Sequence, residues 1–405
     1  MELSYCTNVH PSEDLDGVIA QLDTHAGPVR AAAGLDSLGV GLWLTAETAA
    51  VLAADPAARE RLAEALDRNG LTFRTVNAFP YRGFHDDVVK LRVYEPDWTT
   101  PERLCFTTDC ATALAALLPE GADGSISTLP LGWRTGWGPE QDAAAEENLA
   151  ALAEHLRALE ESTGRTVRVG IEPEPGCILD TVADVTRWLG ERPALTADGR
   201  IGLCLDTCHL AVSFADPAGA VAAATDAGVR IVKVQASVAL EVTDPSAPGA
   251  AAALTPFAED RYLHQVRAGD AATGAPAADD LPEVLGADPA WPTDRPWRVH
   301  VHIPLHARPA PPLRATTEVL GAAVDAVLAA PHGAEAHLDV ETYTWTVLPD
   351  DLQPESLVDG IAAEIRWARE NLTHALAADS AASPLAAAAR TTTPEATTPL
   401  PEVTR

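Results

Sequence analysis

Short apolar runs bounded by turn residues alternate with long Ala- and Leu-rich helical patterns along most of this 405-residue chain, and that alternation leaves few folds open. The strand candidates are Leu3–Val9, Val40–Leu44, Thr72–Phe79, Ser125–Leu131, Val167–Glu172, Ile201–Asp206, Val229–Ser237 and Leu338–Tyr343. The clearest helical patterns are Thr45–Arg68, Pro101–Leu118, Pro139–Ser162, Thr181–Glu191, Pro217–Ala227, Thr316–Ala330 and Pro354–Ala375. Strands that read as near-continuous apolar runs are covered on both faces, which is the condition of a parallel sheet built from βα units. Eight such units predict a closed (β/α)8 TIM barrel. An open doubly wound sheet would carry a Gly-rich phosphate turn after its first strand, and Asn8-Val9-His10-Pro11 stands there instead.

Two segments fall outside the rhythm. Residues 239–296 are rich in Ala, Pro and Asp, with one patterned island at Phe257–Val266, and are expected to form an insertion after strand seven. A ninth strand-like run, Val299–Pro304, belongs to an insertion or displaces one of the eight, and the favoured reading is an insertion whose end folds back over the barrel mouth. Residues 376–405 hold Ala, Thr, Ser and Pro without periodicity and are expected to be a disordered tail, leaving residues 1–375 as a single barrel domain.

With 28 Lys plus Arg against 59 Asp plus Glu, the formal net charge is -31. Such a surface repels phosphate backbones and anionic lipid, which removes nucleic acid and membrane surfaces as expected partners. Cys6, Cys105, Cys110, Cys177, Cys204 and Cys208 are scattered, mostly in apolar segments, as reduced cysteines are. The N-terminus has no charged and apolar leader, and no run of eighteen apolar residues occurs, so a soluble cytoplasmic protein without membrane insertion is expected.

In a (β/α)8 barrel the productive positions are the C-terminal strand ends, where the βα loops converge. Strand five ends Gly170-Ile171-Glu172-Pro173-Glu174, strand six ends Asp206-Thr207-Cys208-His209, and strand eight ends Asp339-Val340-Glu341. Carboxylates joined by imidazoles suit Zn²⁺, Mn²⁺, Mg²⁺ or Co²⁺, and the expected metal set is Glu172, Asp206, His209, His302 and Glu341. Asp206 with His209 reads equally as an N-cap acid followed by an unrelated histidine. His300 and His302 share one face of their strand by period two, either exposed or aimed at the site, and His302 is the candidate acid/base group. Lys233 has the facing of Gln235 and reads as a proton-transfer group or as a structural ion-pair partner. Candidate catalytic residues are thus Glu172, Glu341, His302 and Lys233. Candidate substrate contacts are Asn8, His10, Asn77, Tyr81, Arg82, Trp133, Gln235 and His306, drawn from strand ends and loops, with Trp133 offering an aromatic wall.

The run Gly202-Leu203-Cys204-Leu205-Asp206-Thr207-Cys208-His209, with Ile171-Glu172 and Glu341, resembles the strand-end motifs of endonuclease IV and of the sugar epimerases and isomerases in the xylose-isomerase-like superfamily. More specifically, Tyr5–Pro11, Pro96-Asp97-Trp98, Ile171–Gly176, Phe257–His264, His300–His306 and Glu341–Trp345 are similar to EboE-type "metabolite traffic" proteins. The superfamily likeness implies a metal held by Glu172, Asp206 and Glu341, with His209 and His302 close by, and two glutamates that exchange a proton beside a carbonyl. Departures from the pattern are Gln235, where strand seven usually brings a histidine, and Asn77 and Leu129, where endonuclease IV has histidines. The EboE likeness implies a setting beside a membrane prenyltransferase and other Ebo-cluster proteins. The expected function is a metal-dependent isomerase or epimerase acting on a small polyhydroxylated metabolite, a sugar or cyclitol or its phosphate. The alternatives are a non-catalytic metabolite-binding or scaffold protein on the same barrel and, more remotely, an endonuclease IV-like phosphodiester hydrolase.

Overall fold

The computed structural model describes residues 1–269, 276–286 and 291–372, so the tail expected at 376–405 lies outside the described residues. Eight parallel strands close into a barrel. They are β1 (Leu3–Cys6), β2 (Leu38–Trp43), β3 (Leu71–Asn77), β4 (Gly124–Thr128), β5 (Val167–Ile171), β6 (Ile201–Asp206), β7 (Ile231–Ala236) and β13 (His337–Val340), with β13 pairing both β7 and β1 to complete the ring. The apolar runs mark all eight, but several extend too far at the C-terminal end. Thr7–Val9, for instance, is a 3-10 turn, because the residues that carry polar groups into the mouth leave the ladder there.

The helices follow their punctuation. The pattern Thr45–Arg68 is two helices, Ala46–Ala54 and Pro56–Asn69. Asp55 divides them: the proline after it disfavours helical backbone, and its carboxylate caps the second helix through Ala57 N–H. Residues 15–32 lie outside the clearest helical patterns, yet three consecutive helical pieces fill them, Leu15–Gln21, Leu22–Ala26 and Gly27–Ala32. Gly27-Pro28 looks like a breaker, yet both residues sit in the first turn of the last piece, where proline is tolerated.

Alternation along the strands sends Val40, Leu42, Val76, Ile126, Val169, Leu205 and Val234 into the apolar core under the helices. The barrel interior is polar instead. Ser4 Oγ donates to Asp339 at 2.6 Å, and Ser125 Oγ lies 2.9 Å from Thr75 Oγ1 and 2.8 Å from His337 Nδ1. Glycine at 41 is required here, since a Cβ would lie 2.4 Å from Asp339 Oδ2.

The chain between β7 and β13 builds a second, antiparallel sheet from β8 (Val238–Val242), β9 (Val266–Ala268), β10 (Ala277–Ala278), β11 (Trp297–Ile303) and β12 (Leu313–Ala315), in the order β10-β9-β11-β8-β12. The ninth strand-like run is therefore β11, pairing β8 and β9. The island at Phe257–Val266 starts at the end of a 3-10 turn and is followed by irregular chain, bent at 260–262, into β9. Parts of the segment, 270–275 and 287–290, lie outside the described residues. No described helix is long and apolar enough to cross a membrane.

Candidate metal and substrate site

The strand ends and β11 converge on one cavity at the barrel mouth. At its floor, ligand atoms of Glu172, Asp206 and Glu341 lie within 4.8 Å of one another, and all three residues are buried. Each carboxylate is oriented by a donor. Gln235 Nε2 donates to Glu172 Oε1 at 2.6 Å, while Asn8 Nδ2 and Asn77 Nδ2 both donate to Glu341 Oε1, at 2.7 and 2.6 Å. The Asn77 amide is itself fixed by Phe79 N–H donating to its Oδ1 at 3.0 Å. Asp206 takes the N-cap role open to it in the sequence: its Oδ1 caps the helix Thr207–Val212 through His209 N–H at 2.8 Å and also accepts from Ser237 Oγ at 2.9 Å.

The other halves of these groups are bare. Glu172 Oε2, Asp206 Oδ2 and His302 Nε2 are buried and have no hydrogen-bond partner among the described residues. His302 Nδ1 faces the Glu341 carbonyl at 2.8 Å and so carries the ring proton, which leaves Nε2 a lone pair 3.9 Å from Asp206 Oδ2. Buried acceptors aimed at one another without a donor are costly unless a proton or cation sits between them. The residues thus fit a divalent cation, and Asp206, His209 and His302 also offer ligand atoms within 4.8 Å of one another.

Without a counter-charge Glu172 and Glu341 are pushed toward their protonated forms. Burial, then repulsion from Asp206, lifts Glu341 to about 8. Burial, then repulsion from Glu341, lifts Glu172 well above the usual carboxylate range. A second corner lies beside the floor. His209 Nε2 is 3.0 Å from Glu174 Oε2 and 3.1 Å from His300 Nε2. Both Nδ1 atoms are committed as donors, His209 to Pro173 O at 2.7 Å and His300 to Gln265 Oε1 at 2.6 Å. One Nε2 must then carry a proton, and it is that of His209. Burial opposes its charge, but Asp206 and Glu174 outweigh burial and raise it, whereas burial and then His209 push His300 well below the ordinary histidine range.

The structure brings together Glu172, Glu341, His302, Asp206, His209, Asn8, Asn77 and Gln235. It leaves six expected site residues elsewhere. Lys233 lies a layer below, fully buried, its Nζ 2.9 Å from Asp339 Oδ2, in the structural ion-pair position. His10 turns outward to stack on His25 at 4.3 Å and is driven down to about 3, first by burial and then by His25. Tyr81 and Arg82 line a separate outer cleft with Glu13 and Asp86, because the chain after β3 leaves the mouth. Trp133 stacks on Tyr94 at 5.1 Å and covers Gly176, whose Cβ would lie 2.4 Å from the indole, so it braces the wall from behind. His306 lies on another outer cleft beside Pro304 and Trp345.

Glu174 and His300 also line the cavity, and the spacings Glu172-Pro173-Glu174 and His300-Val301-His302 are the signal for both. Gln265, Tyr94, Tyr262 and Tyr343 had no local signal, since tertiary folding alone brings them in.

A family profile described as a xylose isomerase-like TIM barrel matches residues 29–264, more than half of the chain. Similar solved structures include an L-ribulose 3-epimerase, 15% identical, covering 97% of this chain and 100% of that one with a TM-score of 0.49. Others are a xylose isomerase domain protein from Alicyclobacillus acidocaldarius subsp. acidocaldarius (13% identical, 91% and 98% covered, TM-score 0.45) and the IOLI protein with a bound zinc atom (12% identical, 92% and 98% covered, TM-score 0.45). Comparison with curated proteins finds no match. The closed barrel and the profile agree, and the chain belongs to the xylose isomerase-like TIM-barrel family.

Proposed function

We propose that this protein is a metal-dependent isomerase or epimerase acting on a small polyhydroxylated metabolite such as a sugar or cyclitol. The observation that carries the reading is the convergence of bare, buried acceptors, Glu172 Oε2, Asp206 Oδ2 and His302 Nε2, on the carboxylate floor. Glu172, Asp206 and Glu341 would hold a divalent ion, with His302 and His209 beside it, and a bound ion would polarise a substrate carbonyl. The residues themselves divide the proton work. One of Glu172 and Glu341 takes the proton from the carbon next to the carbonyl, and the other returns a proton to it, so the product differs only in configuration or carbonyl position. Gln235 holds Glu172 by its Oε1, and Asn8 and Asn77 hold Glu341 by its Oε1, which fixes the orientation of both carboxylates on the floor.

The EboE-type motifs support a cytoplasmic setting among Ebo-cluster proteins, with the membrane prenyltransferase as a partner. The net charge of -31 speaks against nucleic acid and the endonuclease reading. Gln235 favours the second reading, a metabolite-binding barrel without turnover, because an amide replaces an imidazole at strand seven. Deuterium wash-in separates the two. Metal-loaded protein in D₂O, given a panel of ketoses and inosose-type cyclitols, should place deuterium beside the carbonyl of a substrate, and Glu172→Gln should abolish it. Substrate binding without exchange would establish the binding-protein reading.

A further inference from the structure

The polar floor accounts for only half of the cavity. Above it the wall is carbon: Phe84, Tyr262 and Tyr343 form a ring cluster with centroids 5.0 to 5.4 Å apart. The Tyr262 hydroxyl is turned away to donate to Phe84 O at 3.2 Å, so that ring presents an apolar surface. Burial has left this wall facing three glutamates of the cavity, Glu172, Glu174 and Glu341.

A phosphate has no seat here. Lys90 is the one Lys or Arg among the described cavity-lining residues, and its ammonium is consumed by Asp280 Oδ2 at 2.6 Å, Tyr262 O at 2.7 Å and Glu259 O at 3.3 Å. Barrels of this architecture commonly grip phosphate through the loops after strands seven and eight and an added helix N-terminus. In this chain a single residue, Ser237, separates β7 from β8, so extended strand occupies that place. A dianion would meet the three glutamates with no lysine or arginine free among the described lining residues to grip it.

Exposed apolar side chains also stand next to the lining residues in the chain. Only Val51, Val88 and Leu91 are exposed large hydrophobic residues among those described, and Val88 (48% exposed) and Leu91 (47%) flank the lining residues Val89 and Lys90 at the rim. We infer that the site takes an uncharged polyhydroxylated ring bearing an apolar substituent, the hydroxyls on the glutamate and asparagine floor and the substituent against Phe84, Tyr262 and Tyr343, running out along Val88 and Leu91. This rests on the floor being the polyol site of the proposed function.

The test is calorimetric binding to Mn²⁺-loaded protein of methyl, phenyl and octyl glycosides of glucose, galactose and mannose, beside the 6-phosphates of the same sugars. Phenyl glycosides should bind about tenfold tighter than their methyl counterparts, about 1.4 kcal/mol, and the phosphates should not bind. Phe84→Ala and Tyr262→Ala should erase the phenyl gain with metal content unchanged. Val88→Ser/Leu91→Ser, both on the surface and unable to disturb the core, should weaken only the octyl glycosides. Equal phenyl and methyl affinity, phosphates that bind better than the parent sugars, or no binding by any member each overturn the inference. Repeating the titration on chelated protein separates it from the reading beneath: a phenyl gain that survives without metal leaves the apolar wall standing and removes the metal from substrate binding, whereas intact metal content without a phenyl gain refutes this inference alone.

Discussion

The buried pair Lys233 and Asp339 decides whether the barrel's interior lysine is chemistry or scaffold. Both side chains are fully buried, 2.9 Å apart, with Asp339 also accepting from Ser4 Oγ at 2.6 Å. Removing one partner leaves a charge stranded in the barrel, a change that costs about 3–5 kcal/mol in comparable buried pairs. Lys233→Met and Asp339→Asn should each destabilise by that amount. The double variant strands no charge, and its cost should fall to about 1–2 kcal/mol, the residue of a lost hydrogen bond and imperfect packing. The coupling energy is therefore expected to exceed about 3 kcal/mol, far above the roughly 0.5 kcal/mol within which independent sites add. Urea unfolding followed by circular dichroism measures it, with metal content read in parallel. Additive losses in the double variant would refute the ion-pair account. A stable double variant that binds metal yet has lost deuterium exchange would return Lys233 to the chemistry.

Two further outcomes follow from the hydrogen bonds around the site. Glu364 accepts from Leu305 N–H at 2.9 Å and Thr342 Oγ1 at 2.6 Å, and burial raises it from 4.5 to about 7. The folded state then holds a proton that the unfolded chain releases, so this stability is present below pH 4.5 and is lost as pH rises through 7, by about 3 kcal/mol for a shift of this size. Glu364→Gln should flatten the decline in unfolding free energy between pH 5 and 8, and an unchanged slope would show that Glu364 is ionised in the fold. Asn77→Ala removes one of two donors to Glu341 Oε1 and should weaken metal binding about 10–100-fold with the barrel intact; unaltered affinity in a chelator competition would show that this amide does not orient the ligand.

The barrel was legible because its signal is local. Runs such as Val167–Ile171 and Ile201–Asp206 are apolar on the helix side, and their carboxylates stand at the ends where the chain turns into the mouth. Glu172 and Glu174 share a facing by period two, so the sequence leaves them open, and only the folded geometry separates them: Glu172 reaches Asp206 and Glu341, while Glu174 reaches His209 and His300. What failed was orientation after the strands end. Alternation places Lys233 on the inner face but says nothing of depth, and Asp339 on the neighbouring strand holds it below the floor. His10, Tyr81 and His306 follow strands closely, yet turns of the backbone carry them to other surfaces. The inserted sheet gave little local signal beyond β11, since β9, β10 and β12 have at most three residues each and exist by pairing. The aromatic wall, assembled from residues as distant as Phe84 and Tyr343, leaves no trace in sequence spacing.

The central claim is that the floor of the mouth is a cation site. Elemental analysis of the purified chain after loading with Mn²⁺ or Zn²⁺ and exhaustive buffer exchange, beside Glu172→Gln, Asp206→Asn and Glu341→Gln, addresses it directly. The account predicts stoichiometric metal in the parent protein and its loss in all three variants with circular dichroism unchanged. Absence of metal in the loaded parent, or full retention in Asp206→Asn, would contradict it.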